Sequence, residues 1–284
     1  MNWKKLLVKK ALIGRLPFAD NLRDFKRKIS GYPPNTQNME LTIKNYERIK
    51  AALEKSGSRI EGSTILEIGS GWFPVIPILL ARDGAKKVCM SDLNVHMDDI
   101  TFRETVRYLK SYFPNDDYIQ KIISFSSLPI DYLAPFNSSE ISNKSIDIVM
   151  SNNVLEHIPR GDIYNLFSSL RSKVSDCCIM VHVIDHSDHF EHHDKSISKI
   201  EFLTWSEEKH ALINYLIKDG ENRMRHHEYP QVFIDSGFEV IDEEAILDEK
   251  TMEAVETLDL VYPYSKMSPE QLATLTSIFS LKPL

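Results

Sequence analysis

Three groups of residues in this sequence have types and spacings suited to chemistry. The first lies in "ILEIGSGWFPVIPILLARDGAKKVCMSDLN" (65–94), where Gly69 and Gly71 follow Glu67, and Asp92 comes 25 residues after Glu67. Glycines without side chains let the backbone approach a ligand closely at the end of a strand. A dinucleotide loop wants a third glycine where this chain has Pro74, preceded by Trp72 and Phe73, so close approach of a pyrophosphate is disfavoured. No Gly-Lys-Ser/Thr follows, which excludes a phosphate-binding P-loop. The second group is "HVIDHSDHFEHHD" (182–194). An imidazole oriented by a carboxylate is a general base, and Asp and His together also bind divalent ions. The third is "NRMRHHEY" (222–229), whose Arg223 and Arg225 carry forks suited to carboxylates or phosphates.

Alternating strand and helix patterns position these groups. "STILEIG" is a short apolar run ending in glycine, the pattern of a buried parallel strand. Pro74 suits the first turn of the helix "VIPILLARDG", where a missing N–H costs nothing; Pro77 still falls in that turn and Gly84 ends the helix. "KKVCMSD" is the second strand, residues 96–113 are helical, and "IDYLAPF" and "SIDIVMSNNV" are further strands. Helix "RGDIYNLFSSLRSKV" precedes a fifth strand, "CCIMVHVID". A His-rich stretch runs to about residue 200, and helical material spans 206–237 with a break at "KDGENR". "FEVIDEEAI" and "TLDLVYP" are the expected closing strands. This alternation predicts a doubly wound, Rossmann-like α/β sheet with helices on both faces. An open parallel sheet brings Glu67 and Asp92 to one edge. An acid ending the second strand accepts hydrogen bonds from ribose hydroxyls, and a carboxylate by the loop suits a cationic amino-acid group. The ligand so described is a phosphate-free adenosine with a positive tail, S-adenosylmethionine.

"LEIGSG", "VCMSD" and "SIDIVMSNNVLEHIP", in this order over roughly residues 60–185, resemble a class I S-adenosylmethionine-dependent methyltransferase. "HVIDHSDHFEHHDKSIS", "FLTW" and "NRMRHHEYPQVFIDSGFEVI" are similar to methyltransferases of bacterial surface-polysaccharide gene clusters. The resemblance implies that Glu67, Gly69 and Gly71 line the methionine end of the cofactor, with Trp72 beside them, and that Asp92 holds the ribose. Asn137 stands where the family often has an acid near the adenine amino group. Asn152 and Asn153 would lie where sulfonium and acceptor meet, the first on the cofactor side and the second on the acceptor side. Glu156 and His157 read as residues that cap and pack the next helix. The implied activity is O-methylation of a hydroxyl on a sugar or glycan. Methylation of a small metabolite or lipid head group is the alternative, and a non-catalytic, membrane-docking cofactor-binding scaffold is the reading from another class. The catalytic candidates are Asp185, His186, Asp188 and His189. Without a fixed ligand spacing a His/Asp base is favoured over a metal, so no metal ligand is assigned. Arg223 and Arg225 would meet an anionic acceptor.

The chain of 284 residues is 42% apolar and 26% charged, an ordinary globular composition. Cys89, Cys177 and Cys178 show neither metal spacing nor a disulfide pattern, which suits a reducing cytoplasm. Residues 1–30 carry nine Lys/Arg against Asp20 and Asp24 and net +7, which leaves −14 on the rest of a chain whose total is −7. An acidic body does not suit nucleic-acid binding. In "NWKKLLVKKALIG", Trp3, Leu6, Leu7 and Ala11 fall together on a helical wheel with Lys10 among them. This basic head is expected to sit on an anionic membrane surface, at the inner face, or else to be a solvated helix or one packed on the body. "GYPPNTQ" reads as a linker, and "NMELTIKNYERIKAALEKSG" as a helix. The expected organisation is a basic extension and linker (1–37), then a methyltransferase domain (38–284) with an acceptor-side insertion or lid at 190–237.

Overall fold

The computed structural model describes residues 2–14, 36–217 and 220–284. The basic head beyond residue 14, residues 31–35 of the expected linker and residues 218–219 of the expected break lie outside these. The chain opens with α1 (Trp3–Gly14) and α2 (Thr36–Lys55). A regular alternation follows: β1 (Thr64–Ile68), α3 (Val75–Arg82), β2 (Lys87–Ser91), α4 (Asp99–Tyr112), a short α5 (Asp117–Gln120), β3 (Ile130–Leu133) and β4 (Ile146–Asn152). Next come α6 (Arg160–Leu170), β5 (Val174–Asp185), α7 (Glu207–Ile217), α8 (Tyr229–Asp235), β6 (Phe238–Leu247), α9 (Glu249–Ala254), α10 (Pro269–Ala273) and β7 (Thr274–Pro283).

The seven strands form one sheet in the order β3-β2-β1-β4-β5-β7-β6. The first five are parallel, and β7 runs antiparallel between β5 and β6. β1 reads almost wholly apolar because helices cover both faces of the sheet. On one face Tyr46, Ile49 and Leu53 of α2 pack with Ile78 and Leu79 of α3. On the other, Phe167 of α6 meets Tyr229 and Phe233 of α8. α8 therefore belongs to the main core, as does Met224 before it.

One expected strand is corrected. "TLDLVYP" is not extended in the sheet; Leu258, Leu260 and Val261 pack on a separate apolar cluster. The closing strand is β7, "TLTSIFSLKP", whose serines dilute its apolar pattern. Ser277 is nevertheless fully buried, because its hydroxyl bonds the rings of His186 (2.6 Å) and His226 (2.8 Å).

The separate cluster also decides how α1 uses its apolar face. Trp3 stacks on Trp205 at 5.3 Å and meets Phe190 at 5.5 Å, Leu6 is buried beside them, and the Trp3 N–H donates to Asp194 at 2.8 Å. This face packs on the body, one of the three expected arrangements, while Lys4, Lys5 and Lys9 point outward.

Arg225 is the largest fully buried side chain. Its guanidinium donates to the carbonyls of His186 (2.8 Å), Leu272 (2.9 Å) and Thr274 (2.7 Å), joining the end of β5 to the start of β7. Burial lowers its pKa to about 10, still well above neutrality. Each abandoned buried carbonyl costs about 1–3 kcal/mol. Arg225→Met is therefore expected to destabilise the chain by about 3 kcal/mol or more, read as a fall in the urea midpoint at unchanged slope.

Candidate active site

The carboxyl ends of β1, β2, β4 and β5 carry the candidate residues at one edge of the sheet. After β1 the chain turns through Gly69 (φ 70°) and Gly71 (φ 67°), both left-handed. The two glycines do different work. A Cβ on Gly69 would lie 2.5 Å from a methyl of Val154, whereas a Cβ on Gly71 would meet nothing within 4 Å. Gly69 thus lets two loops touch, and Gly71 leaves a face open.

Asp92 shapes this loop. Its Oδ2 accepts the Gly71 N–H at 2.9 Å, and its Oδ1 lies 3.5 Å from His96 Nε2. The Trp72 ring leans on His96 with centroids 4.6 Å apart. The Phe136 N–H donates to the Asp92 carbonyl at 2.8 Å, which brings the turn after β3 back to the same place. Asn137 sits there, exposed, but its side-chain carbonyl already accepts the Ser139 N–H at 3.0 Å. An adenine contact through that oxygen would have to share it. Glu67 is 4% exposed, and its Oε2 lacks a hydrogen-bond partner. Burial raises its pKa to about 7, with the Ser70 hydroxyl opposing and the Asp92 charge reinforcing.

At the end of β4, Asn152 Oδ1 accepts a hydrogen bond from Asn45 of α2 at 2.8 Å. Asn153 adopts φ 54°, the left-handed region that asparagine tolerates better than most residues, and its N–H donates to Val183 at 2.9 Å. Val154 then falls against Gly69. Glu156 and His157 form a 3₁₀ turn, and Glu156 does not cap α6: Pro159 stands at that cap and no side chain bonds it. Instead Glu156 is 3% exposed with neither carboxylate oxygen hydrogen-bonded. Burial, with the negative charge of Asp185 added, raises its pKa well above the usual carboxylate range. Asn222 holds this turn from outside. Its N–H donates to Glu156 at 2.6 Å and its amide to Leu155 and Ile158, each at 2.8 Å.

The end of β5 divides the expected catalytic cluster in two. Asp185 lies 3.8 Å from His192 Nε2, and His189 Nε2 lies 3.8 Å from Glu221. The His157 and His189 rings are 4.8 Å apart. His186 and Asp188 face inward, where neighbouring groups take up their polar atoms. His186 bonds Met224 (3.1 Å) and Ser277, and burial holds its pKa well below the usual value, so it stays neutral. Asp188 accepts the N–H groups of Phe190 (2.8 Å) and Phe202 (2.9 Å), and burial lifts its pKa to about 6. The two arginines expected to meet an acceptor are engaged within the fold. Arg223 donates to Trp205 and Phe202 and pairs with Glu207, and Arg225 is the staple described above. His182 lies in the core, bonded through Nδ1 to Ser151 at 2.8 Å, and burial pushes its pKa down to about 3.

The sequence reading missed the wall that Glu156, His157, His189 and Glu221 form. "VLEHI" had placed the first two, but the side on which a 3₁₀ turn presents them follows from the Asn222 contacts, which join residues more than 60 positions apart.

No family model matches the sequence, and no curated protein does. Solved structures do match. The magnesium protoporphyrin IX methyltransferase of Synechocystis PCC 6803 with bound SAH aligns over 97% of this chain and 100% of its own, with a TM-score of 0.51 and 14% identity. This is the fold of a class I methyltransferase. An S-adenosylmethionine-dependent methyltransferase from Mesorhizobium loti is 15% identical, with a TM-score of 0.46 over 82% of this chain and 96% of its own. A geranyl diphosphate C-methyltransferase from Streptomyces coelicolor A3(2) is 13% identical, with a TM-score of 0.47 over 89% and 86%.

The Gly69–Val154 contact gives a direct test. A side chain at Gly69 adds left-handed backbone strain of about 1 kcal/mol and overpacking of about 1–3 kcal/mol. Gly69→Ala should therefore lose about 2–4 kcal/mol in chemical denaturation, and adding Val154→Ala should recover the overpacking part only.

Proposed function

We propose that this chain is an S-adenosylmethionine-dependent O-methyltransferase whose acceptor is a hydroxyl of a sugar or glycan. The observation that carries the cofactor is the open face of Gly71, set between the Asp92 carboxylate and the unpartnered Oε2 of Glu67. That site offers anionic groups and close backbone approach without a phosphate cradle, which fits a cationic adenosine. Asp92 would accept from the ribose through Oδ1, whose bond to the Asn94 N–H (3.3 Å) is longer than the one Oδ2 makes to Gly71. Glu67 and the two glycines would meet the amino-acid end, Trp72 would border it, and Asn137 would lie toward the adenine. Asn152 would separate cofactor from acceptor, with Asn153 on the acceptor side. Bound there, the cofactor supplies a methyl group already activated on a sulfonium.

The protein's part is then to align the acceptor in line, exclude water and take a proton. His189 is the residue we assign as base, with Glu221 beside its ring and Asp185 across the same wall. Asp185 and Glu221 make this wall acidic, which favours a neutral polyhydroxyl acceptor over an anionic one. The solved relatives carry names of very different acceptors, magnesium protoporphyrin IX and geranyl diphosphate, so the fold leaves this choice to the wall. Among the described residues no helix is long and apolar enough to cross a membrane.

Calorimetry tests the cofactor and its pH dependence together. Glu67, with a pKa near 7, is ionised above neutrality and mostly neutral below it. Only the ionised form attracts a cation, so S-adenosylmethionine should bind about tenfold more weakly at pH 6 than at pH 8. Glu67→Gln should flatten that dependence, and Asp92→Ala should weaken binding at both pH values. No heat with cofactor at high micromolar concentration would refute the reading. For transfer, His189→Ala should lower turnover about 10²–10⁴-fold while cofactor affinity survives. Labelled methyl should enter lipid-linked or polysaccharide extracts of the native host, with mass spectrometry giving the product.

A further inference from the structure

Three side chains beside the candidate acceptor face have a common focus. One carboxylate oxygen of Glu156 and one nitrogen each of His157 and His189 lie within 4.8 Å of one another. Glu156 is 3% exposed, and neither of its oxygens is hydrogen-bonded. A buried carboxylate without donors is costly, and structures retain one where something else satisfies it. Glu221 stands 3.8 Å from His189 Nε2, and the negative charge of Asp185 reaches Glu156.

We propose that Glu156, His157 and His189 bind one divalent first-row transition ion, with positions left open toward the acceptor. Two imidazoles and one carboxylate suit Mn²⁺, Fe²⁺, Co²⁺ or Zn²⁺ rather than Ca²⁺ or Mg²⁺, which prefer oxygen alone. Ligands about 2.1 Å from an ion lie about 3.4 Å apart, so a triangle whose sides reach 4.8 Å must close by up to about 1.4 Å. His157 is exposed and His189 half-buried, so side-chain torsions can supply that movement. Glu156 sits on the turn fastened by Asn222, which makes it the fixed corner and Asn222 a positioning residue. An ion here would polarise the acceptor hydroxyl and lower its pKa, and His189 would then serve as ligand instead of base. That role rests on the methyltransferase reading; the binding of the ion does not.

Co²⁺ is the probe, because nitrogen ligation gives it visible absorption. The full chain, first stripped with chelator, is expected to bind one Co²⁺ per molecule. Glu156→Gln and His157→Ala should each weaken it at least tenfold, the second from an exposed position where folding is not at stake. His193→Ala with His227→Ala, both exposed and outside the triad, should leave it unchanged. Absence of Co²⁺ binding, or binding indifferent to Glu156→Gln and His157→Ala, overturns the proposal. Cofactor calorimetry on the same samples separates the two readings. Cofactor binding with no ion removes the ion site alone, while ion binding without cofactor upholds the site and removes the methyltransferase.

Discussion

The contact between Gly69 and Val154 sets the terms for the rest of the site. It requires a residue without a Cβ on one loop and a left-handed turn at Asn153 on the other. Once made, it fixes how far the loop after β4 stands from the loop after β1. Everything downstream inherits that spacing: Glu156 is carried inward, His157 outward, and Asn152 is left at the strand end where α2 reaches it through Asn45. The parallel sheet supplies the common edge, and this one contact sets the distance across it.

Sequence patterns carry the parallel part of the fold because its strands are buried on both faces and read as unbroken apolar runs. The glycine turn, its proline-started helix and the two acids at the sheet edge were legible for the same reason. The antiparallel end was not. β7 mixes serine and threonine with apolar residues, and its burial is affordable only because His186 and His226 supply partners from distant segments. Periodicity within a window cannot register a partner 91 residues away.

The density of His, Asp and Arg beyond β5 looked like one reactive cluster and is two populations. Arg225, Asp188 and His186 point inward and satisfy backbone groups, forming the scaffold of the segment. Asp185, His189 and Glu221 point toward the Glu156 turn. Composition is the same in both, and only the direction of each side chain separates them. The scaffold residues spend most of their polar atoms on backbone groups. Glu156 is buried with both carboxylate oxygens unmatched, and it marks where the site lies.

The docking of α1 has an optical consequence. The chain has three tryptophans. Trp3 and Trp205 are stacked next to the His-rich segment, while Trp72 lies on the glycine loop against His96. Each side of the candidate site thus carries its own indole in a distinct environment. The emission of this protein reports two locations at once: Trp72 answers to what happens at the glycine loop, and the stacked pair to any parting of α1 from the opposite wall.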